Sequence, residues 1–345
     1  MSDEENVVSA HAHLASEVKP EKGGGSYSAN STARSKRGSQ HSVVDEVKVG
    51  TVVAAFGRHY QVELPGGEIL ECVPRGKKSE VACGDQVQIK RTSDPSTTLR
   101  TGAQGVIEKT LPRKSLLYRS VAHREKLIAA NVTQLIVVVA SEPSFNDELL
   151  ARCLLAARHQ QLQTLIVLNK CDLTAQTAAA RAQLQTYRNI GYRVLELSAI
   201  QDIAPLLPYL QGQRSVLVGQ SGMGKSTLIN ALLPDAQAAT REISSVLDSG
   251  KHTTTHARLY HLNADSDLID CPGVQAFGLH HLDFSDIEQG FPEFAPYLGH
   301  CRFYNCSHTH EPDCAIRQAE AEGKIDTRRL KLFQDISRSV EKSAY

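Results

Sequence analysis

LVGQSGMGKSTL, residues 217–228, decides how this chain reads. It contains a G-x4-G-K-S loop set between the strand-like run RSVLV and the helix-like run STLINALL. Glycines in such a loop let successive backbone N–H groups turn inward on a phosphate, and the helix N-terminus adds its positive dipole. Gly219, Gln220, Ser221, Gly222, Met223, Gly224, Lys225, Ser226 and Thr227 are therefore the expected phosphate-binding residues. Lys225 has the reach to bridge β- and γ-phosphates, and the Ser226 hydroxyl suits Mg2+.

A phosphate loop does not choose a base. LIVLNKCDL, at 165–173, does. The Asp172 carboxylate accepts from both donors on the guanine edge, whereas adenine presents an acceptor there. A buried carboxylate facing an acceptor is costly, which disfavours a P-loop ATPase. Lys170 is expected to lie over the base and Asn169 to brace neighbouring loops. Ser198-Ala199, closing YRVLELSA, is expected to offer a backbone N–H to the guanine oxygen. Asp270 and Gly273 of DLIDCPG complete the set: the carboxylate for the Mg2+ shell, the glycine N–H for the γ-phosphate.

These motifs run base first and phosphate second, the reverse of an ordinary GTPase. The apolar runs NVTQLIVVVA, TLIVLNK, YRVLELSA, RSVLVGQ and DLIDCPG read as strands of a parallel sheet buried on both faces. Residues 146–161 read as an amphipathic helix between them, with Leu149, Leu150, Cys153, Leu154 and Ala157 on one face. In such a sheet the loops gather at the carboxyl edge, so the site depends on their spatial arrangement and not on where the chain is cut. Cutting after the Asp-x-x-Gly strand and joining the old ends through 200–216, IQDIAPLLPYLQGQRSV, produces this order. The fold class is α/β: a circularly permuted P-loop GTPase domain, expected over residues 111–280.

The flanks read differently. Residues 1–45 are poor in large apolar side chains and rich in Gly, Ser and Ala, so they are expected to be a disordered tail. Its Arg34, Lys36 and Arg37 read as a solvated charge cluster or as a contact for a phosphate backbone. Over 46–110, alternating runs broken by Phe-Gly and Pro-Gly-Gly predict about five short strands closing an OB-fold β-barrel. Lys77 and Lys78, with Arg75, point to RNA binding; a purely structural barrel has the same periodicity.

Residues 281–345 carry Cys301-x4-Cys306-x-His308-x5-Cys314, three thiols and an imidazole within one short stretch. A closed Cys3His set suits one structural Zn2+ and leaves no open position for catalysis; His310 is a second candidate for the imidazole. This mainly helical region ends in Leu330, Phe333, Ile336 and Val340 at helical spacing, expected to pack on its own domain. The other five of the eight cysteines are scattered singly, which argues for a reducing compartment and against a disulfide framework. The formal net charge is zero, no apolar run approaches the roughly 20 residues of a membrane span, and the N-terminus lacks a signal pattern. A cytoplasmic chain with no membrane partner is expected.

Over residues 47–340, the motifs in this order and the zinc pattern closely resemble the circularly permuted, ribosome small-subunit-dependent GTPases of the RsgA/YjeQ type. The resemblance implies an N-terminal OB-fold, a permuted GTPase domain and a C-terminal zinc region. It further implies GTP hydrolysis in late maturation of the small ribosomal subunit, stimulated by that subunit, with rRNA bound through the barrel and zinc region. It favours His308 over His310. In SGKHTTTH (249–256) it implies a catalytic His252 and a Mg2+-binding switch threonine, Thr254 first and Thr253 second. Val274 stands where Ras-like enzymes carry a water-orienting glutamine, so turnover by the chain alone is expected to be slow. The partners implied are the small subunit and its rRNA, met by a monomer. A nucleotide-regulated RNA-binding assembly protein, with incidental turnover, is the rival reading.

Overall fold

A computed structural model describes residues 47–76, 80–92, 102–121, 124–234, 257–271, 279 and 281–341. The expected tail 1–45 lies outside the described residues, as do Lys77, Lys78, His252, Thr253, Thr254, Gly273 and Val274.

The alternating N-terminal runs form five strands: β1 (Val47–Phe56), β2 (His59–Glu63), β3 (Ile69–Pro74), β4 (Gln86–Arg91) and β5 (Gly105–Thr110). Every second side chain points inward, Tyr60 and Val62 from β2 and Val87 and Ile89 from β4. β1 pairs with both β2 and β4, β2 with β3, β3 with β5, and β5 with β4, so the sheet closes on itself as an OB-like barrel. Its core, including Val52, Leu70, Cys72 and Ile107, is separate from the larger core of the rest.

After a hairpin of β6 (Leu116–Val121) and β7 (Arg124–Ala130) come the predicted buried strands. These are β8 (Gln134–Ala140), β9 (Gln163–Asn169), β10 (Arg193–Glu196), β11 (Arg214–Val218) and β13 (Ser266–Asp270). All five are parallel, but edge strand β10 is exposed to half-buried and not buried on both faces as expected; β12 (Arg258–Asn263), which the sequence reading missed, runs antiparallel beside β13. The order is β10-β9-β8-β11-β13-β12. Helices α1 (Asp147–His159), α2 (Thr174–Asn189), α3 (Leu207–Leu210) and α4 (Lys225–Leu232) connect the strands. The connection from edge strand β10 back to central β11 runs through 197–213 and α3, the segment expected to join the old ends. A single pairing, Ala54 with Arg258, joins β1 to β12 and merges barrel and parallel sheet into eleven strands.

The C-terminal helices are α5 (Phe284–Gln289), α6 (Ala315–Ala321) and α7 (Thr327–Glu341). On α7, Leu330, Phe333 and Ile336 are buried and Val340 is half-buried, as the spacing predicts. The helix packs on α1 as well as on α5, so its apolar face belongs to the GTPase domain too. Phe291 and Phe294 stack and Phe333 meets both edge-on, with centroids 5.1–5.5 Å apart, within the same cluster that fills the parallel sheet. Arg329 crosses this contact: its Nε donates to Glu293 Oε1 at 2.6 Å, and its guanidinium lies 4.4 Å from Phe291 and 5.1 Å from Tyr187 of α2.

Candidate functional site

Strand β9 ends at Asn169, β11 runs into Gly219, β13 ends at Asp270, and β10 is followed by Ser198; being parallel, they deliver their loops to one edge. Asn169 is the joint. Its buried side chain donates from Nδ2 to Met223 O (2.9 Å) and accepts at Oδ1 from the Ala199 N–H (2.9 Å). One amide thus ties the phosphate loop, the Asn-Lys-x-Asp loop and the Ser-Ala loop together. The approach is so close that a Cβ on Gly224 would meet Asn169 Nδ2 at 2.3 Å, and Gly224 is left-handed (φ 88°). A Cβ on Gly219 would meet Val138 O at 2.2 Å. Glycine is a steric requirement at both positions.

At the base end, Ser198 Oγ donates to Asp172 Oδ1 at 2.6 Å. That hydroxyl holds one carboxylate oxygen, a role the sequence reading did not assign to Ser198. Lys170, itself left-handed (φ 63°), donates from Nζ to Glu142 O at 2.8 Å. At the phosphate end, Lys225 Nζ donates to Gly219 O (2.6 Å) and Gln220 O (2.7 Å), curling over its own loop. Burial lowers the Lys225 pKa, and nearby Asp270 offsets this in part. Burial likewise raises the Asp270 pKa against the pull of Lys225. An anion at Lys225 and a cation at Asp270 would each shift the pKa back toward its ordinary value. Ser226 and Thr227 are exposed at the start of α4, where hydroxyl and backbone groups remain accessible.

The loop after β8 also belongs to this edge and escaped the motif reading. Besides Glu142, its Asn146 caps α1 and donates from its own N–H to Gln220 Oε1 at 2.6 Å. No motif marks 141–146, but the rule that loops gather at the carboxyl edge of a parallel sheet includes it.

Cys301, Cys306, His308 and Cys314 come together as expected, their ligand atoms within 4.8 Å of one another. Cys301 Sγ is 3.8 Å from Cys314 Sγ and 3.6 Å from His308 Nδ1. A Zn2+ tetrahedron with bonds of about 2.3 Å to sulfur has edges of about 3.8 Å, so the donors fit that ion. His308 turns Nδ1 to the sulfurs and Nε2 to Glu288, and is buried. His310 is exposed and lies outside the cluster.

The family model for the RsgA GTPase matches residues 110–280. Among curated proteins, the "Small ribosomal subunit biogenesis GTPase RsgA" of Nitrosospira multiformis is 54% identical over 84% of this chain and 90% of its own length. Among solved structures, YjeQ from Thermotoga maritima superimposes with a TM-score of 0.63 at 27% identity, over 86% of this chain and 99% of that one. YloQ, described as a circularly permuted GTPase, has a TM-score of 0.62 at 24% identity over 88% and 98%, a likeness of fold. Identity at that level across nearly the whole length of a relative, on a sheet whose order requires the permutation, places the chain: it belongs to the RsgA GTPase family.

Proposed function

We propose that this chain is a Mg2+-dependent GTPase of small-ribosomal-subunit maturation, slow alone and stimulated by the subunit. Asp172, steadied by Ser198, reads the guanine edge, with Lys170 and the Ser198-Ala199 backbone around the base. Residues Gly219 to Thr227 wrap the phosphates, and Lys225 exchanges its two carbonyl partners for phosphate oxygens. Ser226 and Thr254 are the proposed Mg2+ ligands, with Asp270 holding the shell of the ion, which would supply charge neutralisation to the phosphates. His252 is the proposed group that orients the attacking water, and the Gly273 N–H the proposed γ-phosphate contact. Cys301, Cys306, His308 and Cys314 would hold one structural Zn2+. Barrel and zinc region are the proposed rRNA grips of a monomer working in the cytoplasm. Among the described residues, no helix is long and apolar enough to cross a membrane.

The carrying observation is the Asn169 brace. It ties the loop that carries Asp172 to the loop that carries Lys225, although the chain visits them in the reverse of the usual order. The subunit is supported by the names of relatives such as that of Nitrosospira multiformis. The test is multiple-turnover GTP hydrolysis with and without purified small subunits, for the parent, Lys225→Ala and Ser226→Ala. Stimulation of the parent and loss of turnover in both variants are expected. Equal parental rates with and without subunits would favour the nucleotide-regulated assembly protein instead.

A further inference from the structure

Between the first two cysteines of the metal centre the chain reads Arg302-Phe303-Tyr304-Asn305. Tyr304 is 102% exposed, a large aromatic ring with no fold contact, and Phe303 is 41% exposed. Folding gains nothing from a ring held wholly in water. Yet the loop carrying it is firmly held. Cys301 and Cys306 pin its ends, Cys306 N donates to Phe303 O at 3.2 Å, and Arg302 N donates to Asp313 O at 3.2 Å. The Arg302 guanidinium lies 5.5 Å from the Phe303 ring centroid and is oriented by an ion pair with Asp313 at 3.0 Å. The tip therefore offers two aromatic faces, a cation and a primary amide, all exposed and preset.

We propose that Arg302–Asn305 is a stacking platform for an unpaired base of single-stranded RNA. The proposal rests on the small-subunit reading above and names the contact made by the zinc region. Each element matches the ligand: aromatic rings stack on base faces, Asn305 suits a base edge, and the guanidinium complements the phosphate backbone. A protein-docking hot spot instead centres on an apolar pocket with a water-excluding rim, whereas these rings rise from charged and polar neighbours. Paired RNA hides its base faces, so the platform selects single strands, bulges or loops.

The chain contains no tryptophan, so full-length Tyr304→Trp carries a single indole fluorophore, placed at the platform. Its emission is measured during titration with a short unstructured RNA and with a duplex of the same length. In parallel, small-subunit affinity is measured for the parent and Tyr304→Ala, both checked for equal zinc content so that loss of the fold is not read as loss of stacking. Quenching by the single strand and little by the duplex is expected, together with a loss of subunit affinity of about 5- to 150-fold in Tyr304→Ala. Unquenched indole emission in Tyr304→Trp, or parental affinity in Tyr304→Ala, overturns the proposal while leaving the GTPase reading intact. Weakened subunit binding without quenching by RNA assigns the rings to a protein contact and overturns it too. If the parent itself fails to bind subunits, the functional reading falls, and quenching by the oligonucleotide still supports the platform.

Discussion

Glu288 Oε1 lies 2.5 Å from His308 Nε2, on the side of the imidazole that faces away from the cysteine sulfurs. Glu288 sits on α5, whose Phe284, one turn earlier, stacks on the same imidazole with centroids 6.2 Å apart. The helix grips His308 by ring and by carboxylate, presenting Nδ1 to the three thiols. A carboxylate on the remote nitrogen fixes the tautomer and makes the ligating nitrogen more basic. Glu288→Ala is expected to weaken zinc binding by roughly 10- to 100-fold while leaving one ion per chain at saturation. Competition against a chromophoric chelator measures this, and parental affinity would reduce Glu288 to a packing residue.

Asp172→Asn replaces one acceptor at the base edge by a donor. GTP binding should fall and xanthosine triphosphate binding should rise, since its ring carries an acceptor where guanine carries the amine. Ser198→Ala should weaken GTP without creating the xanthosine preference, because it only frees the carboxylate that Ser198 holds. Titration with fluorescent analogues of both nucleotides separates the two effects. An Asp172→Asn variant with unchanged GTP affinity would remove the guanine assignment.

Arg329 and Glu293 are 2% and 5% exposed, and their pair lies between the C-terminal helices and Tyr187 of α2. Removing one partner strands a buried charge, at a cost of about 3–5 kcal/mol. Arg329→Met should therefore lower the urea midpoint strongly, and adding Glu293→Leu should recover much of the loss. The result bears on motion as well. The zinc region shares a core with the parallel sheet. Any nucleotide-driven displacement must move α1 and α2 with it or break this contact.

His261 on β12 links Glu63 of the barrel (Nε2, 2.7 Å) to Asp267 of β13 (Nδ1, 2.7 Å); Asp267 also pairs with Arg214. Burial pushes the His261 pKa down, but the hydrogen bonds to Glu63 and Asp267 outweigh it and raise the value. A raised folded value means stabilisation that is complete below the unfolded pKa of about 6.5 and is lost as pH climbs through the folded value. The ring is half exposed, so solvent screening limits the effect to under about 1 kcal/mol. Thermal unfolding of parent and His261→Ala should differ most near pH 6 and converge as pH rises. A gap independent of pH would show that the bridge acts as a neutral hydrogen bond.

What the amino-acid order determined by itself was local chemistry with a strict geometric need. A phosphate loop requires glycines beside a strand end, a guanine reader requires a carboxylate at a fixed offset from asparagine, and a zinc knuckle requires closely spaced thiols. Those demands are met within a few consecutive residues, so they are legible without a fold. The central parallel strands were equally plain, because both faces of each must be apolar; edge strand β10 is only half-buried. Strand β12 was not plain, since RLYHLN, between parallel sheet and barrel, buries only Leu259 and is broken by polar residues. Nor were Glu142, Asn146 and Glu288 visible: each meets its partner across 20 or more residues, by backbone or by a carboxylate on an ordinary polar position. Only tertiary structure decided which backbone groups the expected Asn169 brace would bind, that one pairing joins β1 to β12, and that the zinc region is locked to α1 and α2. Such contacts depend on where helices and strands come to rest against each other, and side-chain spacing along the chain carries no record of that.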